Sequence, residues 1–390
     1  MSEWKKVKLG EIADTIQTGP FGSQLHQSDY SEFGTPVVMP KDIVNGKIHV
    51  SSIARVESHH VERLSRHKIS EGDILYSRRG DVGKCAYTDN SQKGWLCGTG
   101  CLRVTIDTSK ALPKFVFFQL QKKDTIGWIE KHAIGATMLN LNTSILSNVP
   151  IELPPFATQQ RIATILSRYD SLIENYQKQI KLLEESAQRL YKEWFIDLRF
   201  PGHENTKIVD GVPEGWEKKC VDSIYSIKYG KNLSTKLIEE KGDYPVYGAN
   251  GVIGYYSEAN CNEQVVLITS RGNGSGDVLM TYHKEAFITN NSFIVTPLEE
   301  YFYCQLPFTY QFLKCANFRN VRTGAAQPQL TNQSIHTIDV ILPTKDVIVE
   351  FCKKTDSNNS LIINLKEGIR HLTEARNRLL PKLMNGEITL

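Results

Sequence analysis

Five loops of this 390-residue sequence concentrate side chains that carry positive charge or hydrogen-bond as forks. Arg78, Arg79 and Lys84 sit in a loop with Gly80 and Gly83, just past a strand-like run. Arg271 and Asn273 occupy what reads as the equivalent loop, because residues 74–78 resemble residues 267–271. Arg319, Arg322, Gln327 and Gln329 crowd the segment 319–330, Thr137 and Asn140 lie in 135–142, and Lys231 follows Gly230. Arg and Lys grip phosphates, while Arg, Asn and Gln address base edges, so the chemistry open to this set is noncovalent recognition of nucleic acid. A tight turn with solvated charge accounts equally well for any single residue, and better for Lys231. Turn formation competes at Thr137 and Asn140. Recurrence of the first loop in both halves is what singles it out.

Covalent chemistry finds less support. Gly272-Asn273-Gly274-Ser275-Gly276 looks like a nucleotide loop, but strand-like sequence follows it, so no helix N-terminus is there to take phosphate. No G-x-x-x-x-G-K-[ST] run occurs anywhere. Leu153-Pro154-Pro155-Phe156 mimics the tetrapeptide of adenine-N6 methyltransferases, yet Leu153 lacks the acceptor that Asn or Asp supplies to the target amino group. Proline opening a helix explains it. The ten histidines form no H-x-x-x-H, His59-His60 stands alone, and Cys97 and Cys101 have no second Cys/His pair at metal-ligand spacing. No catalytic residue, no metal and no cofactor on this chain is therefore expected.

Eight cysteines in a chain this long do not make a disulfide framework, no apolar run approaches the ~20 residues that span a bilayer, and the lysines at the N-terminus precede no apolar stretch. The expectation is a cytoplasmic protein without membrane partners. Net charge is only +3 and is spread as +3, 0, −2 and +2 over residues 1–154, 155–197, 198–343 and 344–390. Nucleic-acid contact must then come from local patches rather than a global field.

A repeat organises the chain. Adding 189 to residues 135–194 places Gly135 on Gly324, Leu141 on Leu330, Val149 on Ile338, Pro154 on Pro343, Ile162 on Phe351, Ile173 on Ile362 and Leu190 on Leu379. Trp4, Leu9 and Ile12 correspond to Trp216, Val221 and Ile224. Strand-like runs at 72–77, 102–106, 265–270 and 293–296 alternate with short helical stretches such as 113–122.

Between Pro155 and Phe195 no Gly or Pro interrupts, and Ile162, Leu166, Tyr169, Ile173, Tyr176, Ile180, Leu183, Ala187, Leu190 and Trp194 recur in steps of 4 and 3. That is a heptad seam. Its copy, about 345–384, carries Phe351, Ile362, Leu365, Ile369, Leu372, Leu379 and Leu383, with Thr355, Asn358 and Arg376 interrupting, Gly368 weakening it, and Pro381 and Gly386 marking a frayed end. The fold class expected is α+β: two similar mixed α/β domains, 1–154 and 198–343, joined and separated by two long antiparallel coiled-coil helices, 155–197 and 344–390, with pseudo-twofold symmetry. From Ile162 to Trp194 such a helix spans about 48 Å at ~1.5 Å per residue, or roughly 14 bp of duplex at ~3.4 Å per base pair.

With these elements assembled, the chain resembles the specificity subunits of type I restriction-modification systems. The resemblance rests on Trp4 with Leu9-Gly10-Glu11-Ile12, the stretch from Val212 to Glu217, the segments 135–155 and 324–343, the run Leu190-Tyr191-Lys192-Glu193-Trp194-Phe195, and the LPP-x3-QQ-x-I pattern from Leu153 to Ile162. It implies two target-recognition domains, each reading one half of a bipartite, asymmetric site in double-stranded DNA. It also implies helices that dock two modification subunits, with AdoMet on those partners and ATP and magnesium on a motor-nuclease restriction subunit. The second copy has Ile348-Val349-Glu350 in place of Gln159-Gln160-Arg161, so docking by the two helices is expected to be unequal. Two other classes compete: a self-contained DNA-processing enzyme with a cryptic nuclease site, which cleavage of plasmid by the purified chain with magnesium would reveal, and a coiled-coil scaffold that binds protein alone.

Overall fold

The structure, a computed structural model, describes residues 4–135, 138–324, 328–336 and 338–388. It divides into two units, residues 1–173 with 371–390, and residues 174–370, so each long helix contributes its two ends to different units.

The core of unit 1 is an antiparallel sheet in the order Ala13–Thr18, Cys101–Ile106, Ile74–Ser77, Cys85–Tyr87. Pleating sends alternate side chains to opposite faces. Ile74, Tyr76, Leu102, Val104 and Ile106 join the main core with Phe115 and Phe118 of the helix Pro113–Leu120, whereas Leu75 and Cys101 face a second cluster with Val38 and Ile69. Burial on both faces is why these strands read as continuous apolar runs. A smaller sheet, ordered Leu96–Cys97, Thr35–Val38, Ala54–Val56, Tyr30–Ser31, completes the unit.

Unit 2 repeats the plan. Its sheet runs Tyr225–Tyr229, Ser292–Pro297, Val266–Thr269, Val278–Met280, with Val266, Ile268, Phe293 and Val295 on the main core and Leu267 on the other face. The accompanying sheet has three strands, Gly251–Tyr256, Tyr244–Gly248 and Phe287–Ile288. In both units a short antiparallel pair leads into a long helix: Lys5–Lys8 with Pro150–Leu153 before Phe156–Tyr191, and Glu217–Cys220 with Asp339–Leu342 before Lys345–Met384. Leu9 donates its N–H to Val149 O, and Val221 to Ile338 O, the same bond at the offsets the repeat predicts.

Within each unit the two helix segments run antiparallel. In unit 1, Ile162, Ala163 and Leu166 share the core with Leu380, Leu383 and Met384. In unit 2, Ile180 clusters with Ile362 and Leu365 beside Tyr176, Leu183 and Ile369, and Tyr191, Trp194 and Phe195 pack on Phe351. Of the remaining seam residues, Ile173, Leu190, Leu372 and Leu379 are half-buried. One π turn, Lys192–Ile196, ends the first helix and lets the adjacent Trp194 and Phe195 both enter the aromatic core. The second helix continues through Pro381 to Met384 rather than fraying there, because Leu380, Leu383 and Met384 are held in the unit 1 core.

The seam's interruptions have structural reasons. Thr355 is buried and donates its hydroxyl to Phe351 O, four residues back. Gly368 lies against Tyr176, whose Cε2 would be 2.8 Å from an added Cβ, so glycine permits the close approach. Arg376 donates to Asp170 Oδ1 (2.6 Å) and Gln121 Oε1 (2.7 Å) and lies near the Phe118 ring, tying both helix segments to the sheet domain of unit 1. Lys366 plays the matching part in unit 2, 3.6 Å from Glu184 and 3.3 Å from the Tyr282 ring centre. Gln159 is buried, accepting from Leu112 N–H and donating to Pro154 O, so its exchange for the equally buried Ile348 swaps one interior residue for another rather than altering an exposed docking side chain.

Candidate nucleic-acid interface

One edge of each main sheet gathers the candidate residues. In unit 1, Thr18 pairs with Leu102 and Ser77 with Cys101, so the loops that leave after Thr18 and Ser77 and the one that enters Cys101 emerge together. The stretches 134–135 and 138–141 fold across them. Ile134 and Asn140 exchange both backbone hydrogen bonds (3.0 and 2.8 Å), Leu141 N–H donates to Arg78 O (2.8 Å), and Gly80 N–H donates to Leu139 O (3.1 Å). The same arch stands in unit 2. Thr323 and Gln329 exchange both bonds (2.8 and 2.9 Å), Leu330 N–H donates to Ser270 O (2.7 Å), and Gly272 N–H to Pro328 O (3.0 Å). Gly80 and Gly272 both take left-handed backbone (φ 75° and 85°), which turns the chain beneath the crossing segment.

These bonds correct the equivalence drawn from sequence. Ile74 pairs with Val104 as Val266 pairs with Val295, so residue 74 corresponds to 266 and not to 267. Arg271 is therefore the counterpart of Arg79, and Arg78 that of Ser270. Aligning the two Ser-Arg dipeptides shifts the strand by one residue, which would send each side chain to the opposite face. The bridges Arg79 with Asn140 and Arg271 with Gln329 complete the match.

Arg79, Arg271, Asn273 and Lys231 are exposed, and the three cations among them have no carboxylate partner among the described residues. Lys231 reaches this edge through its backbone, donating N–H to Ile288 O and accepting from Asn290 N–H. Arg78 is half-buried with its guanidinium 5.8 Å from the Phe21 ring centre, and its Nε and Asn140 Oδ1 are buried without a hydrogen-bond partner among the described residues. Lys84 is paired with Asp81 (3.0 Å). Arg319 donates twice to Asp277 Oδ1 (2.9 and 2.5 Å), while Arg322 Nε donates to Arg319 O and its Nη1 reaches Asn273 O at 3.5 Å. These last two arginines spend donors on holding the second arch. Thr137 and Gln327 lie outside the described residues.

Reading the sequence alone missed Phe21, Ile134 and Met138, large apolar side chains exposed on the same edge. A single apolar residue in a Gly-rich loop carries no sequence signal of whether its side chain is buried. Beneath the edge, burial pushes the thiols of Cys85 and Cys97 up to about 12, so both stay protonated and unreactive. Among the described residues no group of three or more His, Cys, Asp or Glu side chains is placed to hold a metal ion, and no helix is long and apolar enough to cross a membrane.

Comparison with known proteins agrees with this layout. The family model for the type I restriction modification DNA specificity domain matches twice, over residues 1–185 and 213–371. The chain is 26% identical to the type I restriction enzyme MjaIX specificity subunit of Methanocaldococcus jannaschii, across 98% of this chain and 93% of that one. It is 23% identical to the HindI specificity subunit of Haemophilus influenzae across the full length of both. A crystal structure of a type I restriction-modification S subunit from M. genitalium superposes with a TM-score of 0.59 at 20% identity, covering 98% of this chain and 96% of that one.

Proposed function

The chain belongs to the type I restriction modification DNA specificity family, and from that premise we propose that it is a non-catalytic subunit in which each unit reads one half of a bipartite, asymmetric site in double-stranded DNA. The observation that carries this reading is the repeated arch, which presents Arg79 and Arg271 at equivalent places on equivalent sheet edges. An exposed guanidinium on a glycine turn can fork onto guanine O6 and N7 or onto a phosphate, and the neighbouring exposed amide of Gln329 suits an adenine edge. The long helices dock two modification subunits, which hold AdoMet and methylate adenine N6, and a restriction subunit brings ATP and magnesium. Division of labour of this kind asks nothing catalytic of the present chain.

The test uses the chain assembled with its modification subunits. Mapping methylated adenines in a host carrying the system gives the target, and duplexes altered in one half at a time then report binding. Arg79→Ala should weaken binding and relax discrimination in one half, Arg271→Ala in the other, each by about 1–3 kcal/mol. Equal losses in both halves, or none in either, would defeat the reading; so would cleavage of plasmid by the purified chain with magnesium.

A further inference from the structure

The apolar side chains beside the first arch belong to none of the core clusters of unit 1. Phe21, Ile134 and Met138 are 56%, 61% and 61% exposed, and elsewhere in the described part of residues 4–154 only Phe33 and Val50 are comparably exposed large hydrophobics. The three converge. Phe21 lies beneath the Arg78 guanidinium, Ile134 is bonded through its backbone to Asn140, and Asn140 bridges Arg79. A Cβ on Gly135 would come within 2.2 Å of Met138 O, and Gly135 has φ 127°. In unit 2 the corresponding positions are polar. Gly19 and Gly230 each donate N–H to the residue that pairs with the end of the inner strand, Cys101 O and Ser292 O, which makes Asn232 the counterpart of Phe21; Thr323 is the counterpart of Ile134. Of the exposed large hydrophobics of unit 2, Val252 and Ile253 belong to the hairpin Tyr244–Gly248/Gly251–Tyr256, Ile208 and Val209 to a separate short strand pair, and Tyr229, next to Gly230, rests its ring against Phe293.

We infer that Phe21, Ile134 and Met138 form an apolar rim that reads thymine in the half-site addressed by unit 1. This rests on the DNA-reading role proposed above. The major groove offers protein one apolar group, the thymine C5-methyl, and an apolar surface flanking a base-reading arginine has no other complementary partner there. Burying one methyl against such a surface corresponds to about a fourfold gain in affinity, from ~0.8 kcal/mol per apolar carbon. Unit 2, with Asn232 and Thr323, lacks this rim, so the two halves of the site differ in what they must contain.

Deoxyuridine removes the methyl and leaves pairing intact. With the assembled complex and its mapped target, each thymine of each half is replaced in turn by deoxyuridine and the Kd measured. At one or more positions in the half impaired by Arg79→Ala, the expected loss is about fourfold. Phe21→Asn and Ile134→Thr, which install the residues of unit 2, should lower affinity for the thymine duplex and erase the deoxyuridine penalty. Met138→Ser, at an exposed position, serves where either of those fails to fold. Absence of thymine from that half, no deoxyuridine penalty within it, or a penalty that survives in all three variants overturns the inference. If Arg79→Ala spares both halves, the DNA-reading role itself fails first; if it impairs one half and the deoxyuridine series is flat, only the rim is lost.

Discussion

Arg376 was an interruption in a heptad seam, and its surroundings make a sharp prediction about it. The guanidinium donates to Asp170 on the first helix and to Gln121 at the end of the short helix Pro113–Leu120, and the pair with Asp170 is largely buried, at 15% and 24% side-chain exposure. Arg376→Met keeps the bulk and removes the charge. It leaves a carboxylate and an amide oxygen partly out of water without donors. A charge-assisted hydrogen bond is worth about 1.5–3 kcal/mol, and partial access of water to Asp170 trims the loss to about 2 kcal/mol. Because the chain has two units, a single melting curve is a poor gauge, whereas hydrogen exchange resolves each unit by peptide. Amides of residues 162–173 and 371–384 that exchange through opening of unit 1 should lose about 30-fold protection, which is ~2 kcal/mol at ~1.4 kcal/mol per decade. Arg378→Met is the control, since Arg378 pairs with Glu374 on the exposed face of the same helix and should cost under about 0.5 kcal/mol. Indistinguishable exchange in the two variants, or an Asp170→Asn change that costs as much in the Arg376→Met background as beside the native arginine, would refute the argument.

Three further outcomes follow from local geometry. His67 is almost wholly buried, and desolvation, then Arg66 and Arg103, hold its pKa below 6.5, so the folded chain refuses a proton that the unfolded chain accepts. That group costs nothing above pH 6.5 and weakens unit 1 progressively as pH falls below it; His67→Phe should flatten the loss of stability measured between about pH 7.5 and 5.5, and an unchanged slope would count against the assignment. Gly368→Ala should destabilise unit 2 by about 1 kcal/mol although alanine is the better helix former, with recovery when Tyr176→Leu opens space; a more stable single variant would contradict this. Asp277→Asn should change stability by under about 0.5 kcal/mol, the pair being exposed, yet speed limited proteolysis near Arg319, and equal cleavage rates would show that the pair does not hold that loop.

What could be read from the sequence was whatever periodicity carries. The offset of 189 is exact at the crossing segments, where Ile134 and Asn140 bond as Thr323 and Gln329 do, and at the caps, where Asn142 and Thr331 accept from the N–H three residues on. The helices follow from steps of 4 and 3. Registration of the inner strands was not legible, because Ile74–Ser77 and Val266–Thr269 are buried on both faces and offer no polar alternation to count from. A repeated Ser-Arg dipeptide then drew Arg78 onto Arg271. Nor could the sequence tell that Thr355, Gly368 and Arg376 strengthen the helix packing whose pattern they interrupt. Each does so through a partner distant in the chain or through its own backbone.

Under the proposed DNA-reading role, the arches also explain how two copies of one frame can face different sequences. Four bonds that fix the crossing segments to the strand-end loops run between backbone atoms, Leu141 to Arg78, Gly80 to Leu139, Leu330 to Ser270 and Gly272 to Pro328, and in unit 2 the Arg322 side chain adds one to Asn273 O. Gly80 and Gly272 are constrained by type through their positive φ, and Arg319 and Arg322 through the donors they spend on the second arch. Side chains at the neighbouring positions are free of structural duty, so Phe21 can have Asn232 as its counterpart, and Ile134 have Thr323, at no cost to the frame. Substitutions there should alter which bases are accepted and leave stability within about 0.5 kcal/mol, as for other surface positions. A substitution at Gly80 or Gly272 should do the reverse, straining the turn and weakening its half-site whatever bases that half contains.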